Sequence, residues 1–517
     1  MTVKKYPAAV MATCALFLGA CGLAGSQGEG KVVEATPTPS TVEVPAGLES
    51  YYSQSFKWES CPSEVPDGNK ALCATFKAPK DYQNPQNGDL EVMAVRLGDE
   101  GASRPAILVN PGGPGGSAVD FVSENGDYMF TDKVMEKYDV VGMDSRGTKW
   151  STPVTCLTDE EKDKQTASNS PDVSTKEGRL TARQELAELG AKCLEKDDVV
   201  KWVDTESAAR DMDILRHLMG QNKLDYLGYS YGTFLGATYA KLFPQNTGRF
   251  VLDGVVDPSV SFEDLSKQQL AGFDDSIGNY VDWCNTYAKE SCVLKEGEAG
   301  KRQLIDFLDG LRVRPLPTDD KDRELTEALA ETAVFGAMYS TQWFDTLTNA
   351  LQLAIRDANG NMLLRMADVL NERNADGTYG SNQTEAFLAI NNLDYPLSDE
   401  SQWSSAAKEL KQISPLWKSF AWGDYTRADW PVKPVGKRGS YPGDTTPPMV
   451  LIGTTHDPAT PLAMAQSLAK QMPKAVLVTQ EGWDHTAYSS RASNCIKDAV
   501  DNFFIDGKLP ENGLVCR

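Results

Sequence analysis

Gly228-Tyr229-Ser230-Tyr231-Gly232 constrains the fold more than any other segment of this chain. It joins an apolar run, Leu224 to Tyr229, to a helical run, Thr233 to Leu242. A strand that turns into a helix within one residue leaves no room for a side chain at either flanking position, which is why both are glycine. Other short β-branched runs bounded by turn residues surround this turn: Val92 to Leu97, Ala106 to Asn110, Tyr138 to Met143 and Phe250 to Leu252. They read as buried parallel strands. Between them lie helical stretches, notably Glu206 to Met219, with Ala209, Met212, Leu215 and Met219 at helical spacing. Alternating strand and helix implies a parallel sheet covered on both faces. The alternation stops after Asp257-Pro258 and resumes near Pro447-Pro448. The interval reads mainly as helix, most clearly from Glu324 to Asp357 and from Met362 to Asn374. An insertion there predicts a helical cap over the carboxyl edge of the sheet, where sites lie in such folds. The cap is therefore expected to set substrate choice.

A serine on that turn stands at a helix N-terminus, where unpaired amides favour negative charge, and it becomes a nucleophile once a base takes its proton. The chain has three histidines. His217 lies within the helical stretch before the elbow strand and reads as a packed or surface residue. His456 leaves no later strand to carry an acid for it. His485, in Gly482-Trp483-Asp484-His485-Thr486 just beyond the strand Ala475 to Val478, is the expected base. The acid should follow a strand between serine and histidine, which nominates Asp457 in Thr455-His456-Asp457-Pro458. Asp253 and Asp257 are its rivals, and Asp484 is too near His485 in sequence. Asn110-Pro111-Gly112-Gly113-Pro114-Gly115-Gly116-Ser117 closes an early strand and opens a helix. Its glycines allow backbone to approach a reacting carbonyl, with the Gly113 and Tyr231 amides as oxyanion donors. A phosphate-cradling role fails because the Lys-Ser/Thr of a P-loop is missing. These parts predict an alpha/beta-hydrolase fold whose large, mainly helical cap is inserted before the strand carrying the acid, and they need no cofactor.

The first twenty residues, with Lys4, Lys5 and an apolar run from Ala8 to Leu18, read as an export signal too short to span a membrane. Leu18-Gly19-Ala20-Cys21 looks like a lipobox, so Cys21 is expected to carry lipid and to anchor the protein to the cell membrane. Residues 21–47, rich in Gly, Pro, Ser and Thr, form a tether. The hydrolase core is expected at 48–259 and 446–517, with the cap at 260–445. Once the signal leaves, the cysteines at 61, 73, 156, 193, 284, 292, 495 and 516 remain beside Cys21. An even number in an exported chain suggests four bridges. Closest spacing pairs Cys61 with Cys73, Cys156 with Cys193, Cys284 with Cys292 and Cys495 with Cys516. A zinc site is not indicated, since no CxxC occurs. The formal charge of −22 grows more negative when Lys4 and Lys5 leave, and such a surface repels nucleic acid.

Taken together, NPGGPGGS at 110–117, DVVGMDSRGTKWS at 139–151, DTESAARDMDILR at 204–216, GYSYGT at 228–233 and GTTHDPATP at 453–461 resemble one family. It comprises the secreted tripeptidyl aminopeptidases and the related cell-envelope carboxylesterase/protease lipoproteins of Gram-positive bacteria. The segment from Gly482 to Cys516 resembles it as well. The resemblance implies a triad of Ser230, Asp457 and His485 and the removal of short peptides from free N-termini of envelope peptides or proteins; spacing alone implies a hydrolase. One triad serves esters and amides alike, so a carboxylesterase or lipase acting on envelope lipids is the alternative. A catalytically silent binding lipoprotein is disfavoured by the intact triad and glycine turn. The chain departs from the family at Leu393 and Asp429, where a pair of cap cysteines is common. That departure predicts a looser cap. An aminopeptidase also needs a carboxylate for the substrate's ammonium group, and Asp394 is the candidate.

Overall fold

The structure is a computed structural model that describes residues 44–98, 104–441 and 445–517. The signal, Cys21 and most of the tether lie outside these residues. Its sheet holds ten strands: β1 (Glu59–Ser60), β2 (Leu72–Pro79), β3 (Asp89–Leu97), β4 (Ala106–Asn110), β5 (Asp139–Met143), β6 (Leu224–Tyr229), β7 (Thr247–Asp253), β8 (Val450–Thr454), β9 (Val476–Gln480) and β10 (Leu514–Cys516). They lie in the order β1-β2-β3-β5-β4-β6-β7-β8-β9-β10. From β5 to β10 every neighbouring pair is parallel. The first part of the sheet is not: β1 with β2, β2 with β3 and β3 with β5 are antiparallel. The parallel reading of Val92 to Leu97 is thus corrected. Val92 to Val95 and Leu97 are buried, and a strand covered on both faces reads as an apolar run whatever its direction. The strand before His485, β9, is followed in the chain by the short β10 (Leu514–Cys516), which pairs with it.

Parallel direction decides where chemistry can assemble. β4, β6, β7, β8 and β9 all end at one edge of the sheet, so the loops after Asn110, Tyr229, Asp253, Thr454 and Gln480 converge there. The helices Thr205–Leu218 and Tyr231–Leu242 cover one face with a largely apolar contact. The opposite face holds a second cluster built from Val119, Val122, Phe130, Phe503 and Phe504.

The inserted segment has a core of its own, running from Leu270 to Ala421 across helices that include Phe262–Trp283, Gly297–Leu311, Glu327–Ala337, Phe344–Asp357 and Asn361–Leu370. One cap helix, Gln383–Asp394, instead sends Ala386, Ala389, Ile390 and Leu393 into the hydrolase core and forms the seam. The stretch 324–357 is not continuous helix. It breaks after Ala337, where Ser340 is extended (φ −152°, ψ 133°) and its hydroxyl accepts from the Gln342 amide. Serine offers backbone amides an alternative to helix pairing, and here that preference wins. A further helical excursion, Asp159–Ala167 and Lys176–Lys196, also covers this side of the molecule. The structure joins the cysteines as Cys61–Cys73, Cys156–Cys193, Cys284–Cys292 and Cys495–Cys516. Among the described residues no helix is long and apolar enough to cross a membrane.

Candidate active site

Ser230 sits between β6 and its helix with φ 55° and ψ −124°, a left-handed backbone that an L residue adopts only under constraint. The constraint is visible on both sides. A Cβ at Gly228 would lie 2.4 Å from the Gly232 carbonyl oxygen, and one at Gly232 would lie 2.7 Å from the Asn110 carbonyl oxygen. The Ser230 amide donates to the Asp253 carbonyl (2.9 Å), which ties the turn to the end of β7.

Asp457, buried after β8, accepts from the Ala459 and Thr460 amides (2.9 and 2.7 Å) and from the Thr460 hydroxyl (3.0 Å). Both its oxygens stand 2.9 Å from His485 Nδ1. A carboxylate only accepts, so Nδ1 carries the proton and Nε2 presents its lone pair. Nε2 is buried and has no hydrogen-bond partner among the described residues. Burial pushes the His485 pKa down, but the charge and hydrogen bond of Asp457, with Asp253 beyond, outweigh it and the net shift is upward.

The two rivals for the acid do other work. Asp253 accepts from the Ala487 and Tyr488 amides (2.9 and 2.7 Å) and so fixes the chain just past His485. Burial, opposed by those amides, lifts its pKa to about 6. Asp257 accepts from Ser259 and from Gln471 Nε2. His217 packs edge-on against Tyr52 on the helix Thr205–Leu218, away from the edge. His456 lies flat on Trp483 (3.8 Å between centroids) with Nδ1 2.8 Å from Asp275 of the cap.

In the glycine turn, Gly112 approaches the serine most closely: its Cβ, if present, would meet Ser230 Cβ at 2.8 Å and the Tyr231 amide nitrogen at 3.3 Å. Its φ of 103° requires glycine as well. The Gly112 amide is held by Asn110 Oδ1 (3.0 Å) and the Gly116 amide by the Gly112 carbonyl (3.2 Å), with Gly113 between them. Tyr231 is the first residue of its helix, where amides lack intrahelical acceptors.

Asp394 is not on an open surface. Its oxygens accept from the Thr205 amide (2.9 Å) and hydroxyl (2.5 Å), and that hydroxyl lies 2.5 Å from the Tyr231 phenol. Burial raises its pKa to about 7, against the opposing pull of Arg438 and the Thr205 bonds. The residues that the motifs did not reveal are Thr460, which braces Asp457, and Tyr339 and Thr341, which reach the histidine loop from the cap. Thr460 had a signal, because an aspartate followed by small and hydroxyl residues forms a side-chain-to-backbone turn. Tyr339 and Thr341 had none, lying inside a stretch of helical periodicity.

The TAP-like protein family matches residues 414–516, and the alpha/beta hydrolase fold family matches residues 105–293. The chain is 32% identical to serine protease Hip1 of Mycobacterium tuberculosis over 90% of its own length and 91% of that protein. It is 33% identical to carboxylesterase B of the same species, covering 93% of each. Tripeptidyl aminopeptidase of Streptomyces lividans is 26% identical over 89% of this chain and 86% of its own.

Proposed function

The chain belongs to the TAP-like alpha/beta-hydrolase family of serine protease Hip1 and carboxylesterase B, and from that premise we propose that it is a serine exopeptidase releasing short peptides, tripeptides by likeness to the aminopeptidases, from free N-termini. As a member of that family it is a hydrolase, and its disulfides and relatives mark it as extracytoplasmic.

The reading is carried by the buried Asp457 carboxylate 2.9 Å from His485 Nδ1, which leaves Nε2 buried and without a hydrogen-bond partner among the described residues. Ser230 Oγ attacks the scissile carbonyl as His485 Nε2 takes its proton, and Asp457 holds the tautomer and stabilises the imidazolium. The Gly113 and Tyr231 amides receive the charge that develops on the carbonyl oxygen. His485 then gives the proton to the leaving amine, and water, deprotonated by His485, cleaves the acyl-enzyme. No step calls for a metal or cofactor. The cap at 260–445 limits the length of peptide admitted, and a lipid on Cys21 with the tether 21–47 keeps the enzyme beside envelope substrates. Labelling with a palmitate analogue tests the anchor: a labelled wild type and an unlabelled Cys21→Ala are expected.

Carboxylesterase B as a relative supports ester hydrolysis as the second reading. The test compares matched tripeptide amides, free and N-acetylated, with short acyl esters. Purified residues 48–517 should react with a fluorophosphonate and Ser230→Ala should not. Acetylation removes a charge-assisted hydrogen bond of roughly 1.5 to 3 kcal/mol, so kcat/KM should fall by about tenfold to a hundredfold. Equal rates for both peptides, with faster ester cleavage, would replace the peptidase by the esterase. Each Asp394 oxygen accepts one bond from Thr205 and keeps a second lone pair that an ammonium group can use. Loss of the preference in Asp394→Asn would assign the anchor to it, and a preference that survives would move the anchor elsewhere.

A further inference from the structure

The loop that carries His485 is held by the cap as much as by the sheet. The His485 amide donates to the Tyr339 carbonyl (2.8 Å), and the Tyr339 ring stands edge-on to the imidazole, 5.3 Å between centroids at 88°. Next to it, Asp484 Oδ1 accepts from the Thr341 amide (2.6 Å) and hydroxyl (3.0 Å). Both cap residues lie at the break between the helices Glu327–Ala337 and Phe344–Asp357. The cap helix Phe262–Trp283 grips the neighbouring acid loop: Gln269 Nε2 donates to the Ala459 carbonyl (3.0 Å), and the Gly272 backbone lies so close to Pro458 that a Cβ would fall 2.6 Å from its carbonyl oxygen. The same helix supplies Asp275 to His456, which stacks on Trp483 of the histidine loop.

From these contacts we propose that Tyr339 and Asp484 are positioning residues for the general base, so that His485 is aligned with Ser230 only while the cap is seated. The proposal rests on the reading of His485 as base. Sheet contacts fix the histidine loop on its far side, where Asp253 binds the Ala487 and Tyr488 amides. On the near side Gly482 is tied to the acid loop by the His456 amide (3.0 Å) and the Thr455 hydroxyl, and the His485 ring also meets the Thr460 hydroxyl (3.3 Å), but the partners of the His485 amide and of the Asp484 carboxylate come from the cap. A side chain placed by packing on one element and hydrogen bonds to another loses its alignment when either withdraws. A misplacement of about 1 Å can cost about a hundredfold in rate. The cap would thus do more than select substrates: a ligand that seats it would also complete the base.

The experiment measures second-order labelling by a small fluorophosphonate, together with kcat and KM on a free tripeptide amide. Wild type, Ser230→Ala, Tyr339→Ala, Tyr339→Leu, Tyr339→Phe, Asp484→Ala and Asp484→Asn are compared, with thermal midpoints as a folding control. A labelled wild type and unlabelled Ser230→Ala establish the serine independently; failure there would sink the parent reading rather than this one. Tyr339→Ala and Asp484→Ala should label and turn over about tenfold to a hundredfold more slowly with KM unchanged. Tyr339→Phe, which keeps the ring, should match wild type, and Asp484→Asn, which keeps an acceptor for Thr341, should recover most of the rate. Tyr339→Leu, which keeps volume without the ring edge, gives the same reading as alanine where alanine does not fold. Wild-type labelling rates in the folded alanine or leucine variants, with KM raised instead, would show substrate contacts and overturn the proposal. A phenylalanine variant as slow as alanine would overturn it too, by placing the role on the phenol.

Discussion

His485, at the edge of the sheet where the strand ends converge, has its protonation set by what touches it. Burial alone would lower the His485 pKa, yet the Asp457 charge and hydrogen bond raise it above the ordinary 6.5. In the proposed mechanism His485 must be neutral to act as base, so activity should be lost as pH falls through that raised value. The acid limb of kcat/KM should therefore lie above 6.5 in wild type. Asp457→Asn removes the opposing charge, so the limb should move down while kcat drops by about 10⁴-fold, the scale set by loss of a triad aspartate elsewhere. A pH profile of both proteins checks this, and a limb that stays in place would give the charge to another group. Ser230, Asp457 and His485 could be nominated from the sequence because each follows a strand end in a fixed order of chemistry. Asp394 could be named from the sequence as a candidate carboxylate for an ammonium group but not as a buried one, since its burial depends on Thr205 and Arg438, distant in sequence.

Among the elements, strands were read better than the chain's irregular joints. β4 and β6 coincide with their apolar runs, because buried strands are short and bounded by turn residues. β2 escaped notice: its exposed Thr75 and Lys77 interrupt the apolar pattern. The break at residues 338–343 was masked by helical periodicity on both sides, although it is where the cap reaches the histidine. The two positions where the family's cap cysteines stand are filled in unrelated ways. Leu393 is fully buried in the core, and Asp429 accepts twice from Arg183 at 2.6 Å, a contact half open to solvent and so worth little. The bridges that remain should differ in effect by loop length. Cys156–Cys193 closes 37 residues and Cys284–Cys292 closes 8, which corresponds to about 4 and about 2.5 kcal/mol of chain entropy. Replacing the first pair by serine should thus lower the thermal midpoint more than replacing the second. Neither pair lies in the catalytic motifs, so fluorophosphonate labelling at 25 °C should persist in both. Calorimetry of the two variants decides it, and an equal or reversed order would mean that native packing outweighs loop closure.

For the whole molecule, charge and buried acids predict an unusual stability profile. Burial raises the pKa of Asp144 to about 7, that of Asp253 to about 6 and that of Asp394 to about 7. In each case the folded state keeps a proton that the unfolded chain releases near 3.8. The unfolded state then binds fewer protons, so stability falls as pH rises from about 4 through those folded values. His485 acts in the same direction: its raised pKa adds stability that is complete below 6.5 and is lost as pH rises through the folded value. Asp163 and Asp198 work oppositely, since hydrogen bonds from Arg373 and Lys80 hold them below the ordinary range, and their contribution is lost only below about 4. A formal charge of −22 adds self-repulsion toward high pH. The thermal midpoint should therefore peak between about pH 4.5 and 6 and decline toward pH 8, less steeply in high salt. Asp394→Asn isolates one contributor, because asparagine can keep both Thr205 contacts without ionising. The variant should match wild type near pH 4.5 and melt higher at pH 8. If it instead melts lower at pH 8, the Asp394 carboxylate is stabilised in its charged form and the assigned direction of its shift is wrong.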